Sequence, residues 1–295
     1  MTPGGMFFLV RKNSFVFDGS KMSYSVVIPM YNAEETIALC LSSILRSIPR
    51  NTEVIVVDDC STDRSRDIVA EFPVQLICLP QNQGPSAARN RGVEQASHSK
   101  ILFVDSDVEV QSTAIQKLVD ALEQDPELVG ANALPSFELP SDDWASHYVN
   151  ISLIVQLQAH GTRVNTAFTS LSLIRRDLWM KMGGWDESQK GRYVDDVQTR
   201  WFLKEELIAQ VFEARFIHHK TVSWKGMLKH RFNLGYHFWG GIPKEKDKKE
   251  FDWRRTIIHI RYPLNTVLAL GFWGLFFVPI AIVPFLLLVI WNNLA

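Results

Sequence analysis

The sequence predicts an α/β protein, with a Rossmann-like, mostly parallel sheet flanked by helices and a transmembrane helix toward the C-terminus. Three observations carry this prediction. From Tyr24 onward, short β-rich runs alternate with segments of helical periodicity. Acidic or polar turns follow the predicted strands, and parallel sheets bind ligands beyond those carboxyl ends. Residues 264–291 form a run of 28 without a charge, longer than the roughly 20 needed to span a bilayer.

The elements follow in order. YSVVI (24–28) reads as a strand buried on both faces, and Ile37, Leu41, Ile44 and Leu45 then recur at helical spacing. EVIVVDD is a second strand, and TDRSRDIVAEF a helix with Ser61 or Thr62 as its cap. VQLICL is a third strand, SAARNRGVEQA a helix that Gly84 and Pro85 open, and KILFVD a fourth strand. Such alternation predicts parallel pairing with helices on both faces. Beyond Glu123 the pattern loosens. ELVGANALP, TAFTSLSLI and IAQVFEA read as strands; DDWASHYVNISLIVQLQAHG, RRDLWMKM and DDVQTRWFLKEE read as helices. A dinucleotide-binding oxidoreductase is excluded, because the first strand leads into Pro29, Met30, Tyr31 and Asn32 in place of GxGxxG.

The 31 Lys and Arg nearly balance the 32 Asp and Glu, so overall charge gives no reason to expect a nucleic-acid partner. Between Arg215 and Ile242 five Lys or Arg occur with no acid, a segment suited to phosphates. Cys40, Cys60 and Cys78 lack metal-binding spacing, and Cys40 and Cys78 are expected as buried thiols in a reducing compartment. Arg254, Arg255, His259 and Arg261 precede the apolar run, which places the preceding part of the chain on the cytoplasmic face, with membrane lipid as a partner. Pro279 and Pro284 allow a kink or a re-entrant turn within the run. The expected organisation is an N-terminal extension over 1–23, a catalytic domain over 24–240, a basic juxtamembrane segment over 241–263 and the membrane segment over 264–291.

Two neighbouring strand-end aspartates, Asp105 and Asp107 in FVDSDVEV (103–110), raise an electrostatic question. Like carboxylates at i and i+2 repel unless a cation lies between them. With VVIPMYN (26–32), VVDDCSTD (56–63) and NQGPSAARNRG (82–92), this motif resembles the pattern of glycosyltransferase family 2. RRDLWMKMGGWDE (175–187) and YVDDVQTRWFL (193–203) extend the resemblance to about residues 24 to 240.

The resemblance implies a GT-A fold and an inverting transferase fed by a nucleotide-diphosphate sugar, a UDP-sugar foremost. It implies Mg2+ or Mn2+ at the DSD motif, with Asp107 the direct ligand and Asp105 nearer the ribose or the metal's waters. Hard cations of this kind prefer oxygen ligands, including substrate phosphates. One of Asp58 and Asp59 is implied to read the nucleobase, with Pro29 and Tyr31 packing on it, and Glu34 and Arg89 near the nucleotide. Asp196 is implied as general base, with Asp195 standing where the family usually has Glu. In GGWDE, Trp185 offers an apolar face to a sugar, while Asp186 and Glu187 contact acceptor hydroxyls or cap the loop. One of His218 and His219 is implied as a further metal ligand or diphosphate contact. The membrane span points to a lipid-linked or glycan acceptor. Rival readings are a polysaccharide synthase, whose usual QxxRW sequence does not occur here, and a non-catalytic sugar-nucleotide-binding scaffold.

Overall fold

The computed structural model describes residues 23–139, 143–159, 161–188, 198–199, 202–203, 205 and 207–219. The strands are β1 Ser25–Met30, β2 Glu53–Asp58, β3 Gln75–Cys78, β4 Lys100–Val104, β5 Val108–Val110, β6 Gly130–Pro135, β7 Arg163–Val164, β8 Leu171–Arg175 and β9 Ile208–His218. The helices are α1 Ile37–Ser47, α2 Ser65–Val69, α3 Pro85–Gln95, α4 Ala114–Gln124, α5 Trp144–Ala159 and α6 Arg176–Met182. The described strands join in one sheet of order β3-β2-β1-β4-β8-β6-β9-β5, with β7 also paired to β9. This sheet lies in one compact unit; Asp143–Val149 belong to a second. Within that second segment, the Asp143 carboxylate caps the start of α5 by accepting from the Ser146 amide and hydroxyl.

Continuous apolar runs in β1, β2 and β4 put a hydrophobic side chain on each face of the sheet. Val26, Ile28, Val56, Leu102 and Val104 pack with Ile37, Leu41 and Ile44 of α1 and Ile115, Leu118 and Leu122 of α4. On the opposite face, Val27, Ile55, Val57, Ile101 and Phe103 pack with Ala88 and Val93 of α3 and Leu178 of α6. Gly92 lets α3 lie close to the sheet, because a Cβ there would stand 2.3 Å from Val27 Cγ1. Gly84 takes a left-handed φ of 95° just ahead of Pro85, the first residue of α3, as a tight turn into a helix requires.

The sheet is mixed, where the sequence predicts mostly parallel pairing. β1, β2, β3 and β4 are mutually parallel, but β8 enters antiparallel to both β4 and β6. β9 runs parallel to β6 and antiparallel to β5 and β7. Cys78 is a second correction: it is exposed while Cys40 is buried. Among the described residues β3 is the outer strand at one edge of the sheet, with no further strand beside it. α2 is short and its N-cap position is Arg64, with no side-chain cap bond, in place of Ser61 or Thr62; Asp63, just before it, accepts from the Ser65 amide at 3.0 Å. Among the described residues no helix is long and apolar enough to cross a membrane. The 264–291 run, residues 1–22 of the extension and the basic juxtamembrane segment lie outside the described residues.

Candidate active site

The parallel strands β1, β2 and β4 end side by side, and the turns after β1 and β2 are tied together. Asn32, with a left-handed φ of 47°, accepts from the Thr62 amide at 2.8 Å through its side-chain oxygen. The Ala33 and Glu34 amides donate to Ser65 Oγ and Asp63 Oδ2, and the Arg64 amide returns a bond to Glu34 Oε2 at 3.1 Å. Several bonds to Asp63 hold its carboxyl below the ordinary range; burial opposes this, and the Ser65 hydroxyl and amide and the Glu34 amide outweigh it. Glu34 therefore braces the two turns. Tyr31 stands half-exposed at the end of β1, whereas Pro29 is buried within β1 opposite Val57. That position places Pro29 in the sheet, and its ring is not open to a base.

Both carboxylates of the second turn have protein partners. Asp58, wholly buried, accepts from Arg66 Nε at 2.6 Å and from the Ser61 amide. Its hydrogen bond and charge raise the Arg66 guanidinium further above its usual value. Asp59 accepts from the Gln83 and Gly84 amides at 2.7 and 2.8 Å, and so fixes the turn that opens α3.

The DSD aspartates have separate environments. Asp105 Oδ1 accepts from Arg89 Nη2 at 2.8 Å and Oδ2 from the Ser170 hydroxyl at 2.9 Å. Arg89 is 9% exposed, so this charged pair is held in a largely desolvated setting where geometry matters most. Asp107 turns toward β9, where His218 Nε2 lies 3.0 Å from its Oδ1. His219 is drawn elsewhere, with Nε2 2.8 Å from Glu109 Oε2. Asp105 is thus paired with a guanidinium, and Asp107 is in hydrogen-bond contact with an imidazole. Burial, then the charges of Asp107 and Asp105, push the Cys40 thiol upward, so it stays protonated and inert.

The residues present fit a small divalent cation at Asp107. Asp107 Oδ1 and His218 Nε2 stand 3.0 Å apart in hydrogen-bond contact, close enough for one divalent cation to take both as ligands. Among the described residues no three His, Cys, Asp or Glu gather to hold a metal alone. Asp105 and His219, both implied metal neighbours, are each engaged with another side chain.

GGWDE forms a braced turn. Gly183 and Gly184 both adopt left-handed φ values, 76° and 81°, and Gly183 ends α6. Trp185 is 2% exposed and meets Phe103 edge-on with ring centroids 6.0 Å apart. Its expected role as a sugar platform is corrected: the ring is core, because β4 supplies an aromatic partner across the sheet face. Asp186 caps the turn, accepting from the Ser188 amide at 2.9 Å and its hydroxyl at 2.6 Å. Glu187 is exposed, yet its Oε1 accepts from Asn90 Nδ2 at 2.7 Å. Asp195 and Asp196 lie outside the described residues.

Sequence reasoning missed Ser170, Glu109, Asn90 and Gln198. Glu109 was available from the alternation of FVDSDVEV, in which it follows Asp107 on one side of a strand. Asn90 stood beside Arg89 in a motif already singled out, but its partners are 89 to 97 residues away. Gln198 lies within YVDDVQTRWFL, with its partners 12 and 14 residues away, and Ser170 carries no local signal.

A mixed α/β sheet whose strand ends gather carboxylates with the guanidiniums of Arg66 and Arg89 and the imidazoles of His218 and His219 defines an α/β domain with an acidic edge. Residues 25–183 match the sequence profile of Glycosyl transferase family 2, more than half of the chain, and the protein belongs to that family. The Escherichia coli (strain K12) glycosyltransferase YibD is 35% identical over 127 residues, 41% of this chain and 37% of that protein. The chain thus covers well under half of that relative's length, as it does of a Haemophilus influenzae glycosyltransferase, at 42%. A crystal structure of Staphylococcus aureus TarS residues 1–349 with UDP has a TM-score of 0.54 at 22% identity, over 76% of this chain and 68% of that one. The Pyrobaculum calidifontis mannosyltransferase PcManGT, with GDP-Man and Mn2+, has a TM-score of 0.57 at 18% identity, over 74% and 62% of the two chains. These likenesses show a GT-A-like fold.

Proposed function

We propose that this family 2 protein is a metal-dependent, inverting glycosyltransferase that moves a sugar from a nucleotide-diphosphate sugar, foremost a UDP-sugar, to a hydroxyl or phosphate of a lipid-linked acceptor. The observation that carries the reading is the division of labour at the DSD motif: Asp105 is held by Arg89 and Ser170, while Asp107 faces His218. Asp107 and His218 would hold Mg2+ or Mn2+, which when bound offsets the charge of the donor's diphosphate. UDP in the TarS complex, and GDP-Man with Mn2+ in the PcManGT complex, support a donor of this class. In this reading Tyr31 and one of Asp58 and Asp59 would meet the base and ribose, and Arg89 would lie near the nucleotide.

On the acceptor side Asp196, with Asp195 beside it, takes the proton of the attacking hydroxyl. The oxygen bonds to C1 as the C1–O bond to the diphosphate breaks, and the diphosphate leaves with the electron pair. Attack from the opposite face inverts the anomeric carbon. Glu187, held at the loop tip by Asn90, receives an acceptor hydroxyl. The uncharged 264–291 run and the basic residues before it support a membrane-anchored protein whose catalytic domain faces the cytoplasm.

The test is full-length protein in membranes, given radiolabelled UDP- and GDP-sugars, with lipid and water-soluble products separated. Label should enter the lipid fraction in the presence of Mn2+, and Asp196→Asn should abolish transfer while retaining nucleotide binding. Normal turnover by Asp196→Asn would remove the base assignment, and full turnover in EDTA would remove the metal.

A further inference from the structure

Asn90 uses its whole hydrogen-bonding capacity on one loop and the helix before it. Its Oδ1 accepts from the Trp185 amide at 2.8 Å and from Trp179 Nε1 at 3.1 Å. Its Nδ2 donates to the Trp185 carbonyl at 2.8 Å and to Glu187 Oε1 at 2.7 Å. An Asn side chain offers two donors and an oxygen with two lone pairs, so every position is filled. The residue is 7% exposed, where an unmet amide would be costly. Gln198 closes the other side of the turn, donating to the Gly184 carbonyl at 2.7 Å and accepting from the Asp186 amide at 2.8 Å. Gly184 leaves the room that this needs, since a Cβ there would come 3.1 Å from Asn90 Oδ1.

The neighbour of Asn90 in the chain is Arg89, the residue that holds Asp105. Consecutive residues of α3 therefore grip the DSD carboxylate and the GGWDE loop. We infer that Asn90 is a positioning residue for the transfer step, which sets the GGWDE loop and its Glu187 carboxylate relative to the Asp105 side of the site. The inference rests on the acceptor role given above to Glu187. Fixing a reacting geometry to within fractions of an ångström is worth large factors in rate, and a buried amide with four partners is a means to that end.

The experiment uses the full-length chain and three variants: Asn90→Asp, Glu187→Gln, and the two combined. Asn90→Asp keeps the acceptor atoms for the Trp185 amide and Trp179, but sets a carboxylate against Glu187. It should reduce turnover of the labelled donor by about tenfold or more, with affinity for UDP and Mn2+ within about twofold of wild type. Hydrogen exchange in the 183–188 peptide should speed up. In the double variant the amide introduced at position 187 donates to the carboxylate introduced at position 90. The polarity of the bond is reversed, and loop protection should return in part, since the Trp185 carbonyl still lacks the donor that Asn90 Nδ2 supplied. Wild-type turnover by Asn90→Asp would overturn the inference. So would a loss of UDP affinity as large as the loss of turnover, because Asn90 would then act on the fold of α3 alone. Full turnover by Glu187→Gln beside an impaired Asn90→Asp would instead remove the acceptor role of Glu187 and leave the clamp standing.

Discussion

His218 Nε2 and Asp107 Oδ1 stand 3.0 Å apart beside the antiparallel β5–β9 pair, while the next imidazole, His219, is bound to Glu109. Two adjacent histidines at one strand end thus have different partners. His218→Ala should lower the affinity for Mn2+ in the presence of UDP by about tenfold or more, read from free Mn2+ by electron paramagnetic resonance. His219→Ala should move it much less. Equal losses in both variants would show that neither imidazole is a selective ligand.

Gly92 sets the depth of α3 on the sheet. Its Cβ position lies 2.3 Å from Cγ1 of Val27, a fully buried, β-branched side chain with little freedom to turn away. Gly92→Ala should therefore destabilise the protein by roughly 1–3 kcal/mol, measured by urea unfolding. Adding Val27→Ala should recover part of the resistance to urea by opening the space. Because Arg89 and Asn90 ride on the same helix, Gly92→Ala should also weaken UDP binding, which Asn90→Asp leaves intact.

The opposite end of the sheet supplies a pH-dependent term. Burial acts to raise the Glu53 carboxyl, but hydrogen bonds from the Ser25 hydroxyl and the Ser97 amide and hydroxyl, aided by the charge of His98, hold it below the ordinary range. A carboxyl lowered in the folded state contributes its full stability above the ordinary carboxylate pKa and loses it as pH falls through the lowered value. Glu53→Gln should cost roughly 1 kcal/mol at neutral pH. The difference from wild type should shrink as the solution is acidified below about pH 4, as followed by urea midpoints across a pH series. A constant difference at all pH values would show that the carboxylate charge is not the source.

The parallel half of the sheet was legible because its strands are buried on both faces, so VVI, VIVV and ILFV read as unbroken apolar runs. The turn into α3 was legible because Gly84 and Pro85 are local signals. What the residues did not reveal depends on partners distant in the chain. The antiparallel entry of β8 between β4 and β6 follows from how the chain returns to the sheet, which no local period encodes. Trp185 reads as a sugar platform from its motif, but Phe103, far earlier in sequence, takes its ring into the core. Cys78 has an apolar neighbourhood in the sequence, yet it lies on an edge strand. The DSD motif announced two carboxylates at one strand end, but their separation into one held by Arg89 and one facing His218 required the packing of α3 and β9.

β9 carries its own arithmetic. Asn132 of β6 faces Gln210, but Leu134 faces Arg215, so the later strand stores extra residues in a bulge before it reaches His218. Side chains on a strand alternate, and removing a single residue from the bulge would turn His218 to the wrong side of the sheet. Removing two would keep its orientation and displace it by about two strand steps, each roughly 3.3 Å. Length changes in this strand are thus constrained by parity as well as by distance, even at positions far from Asp107.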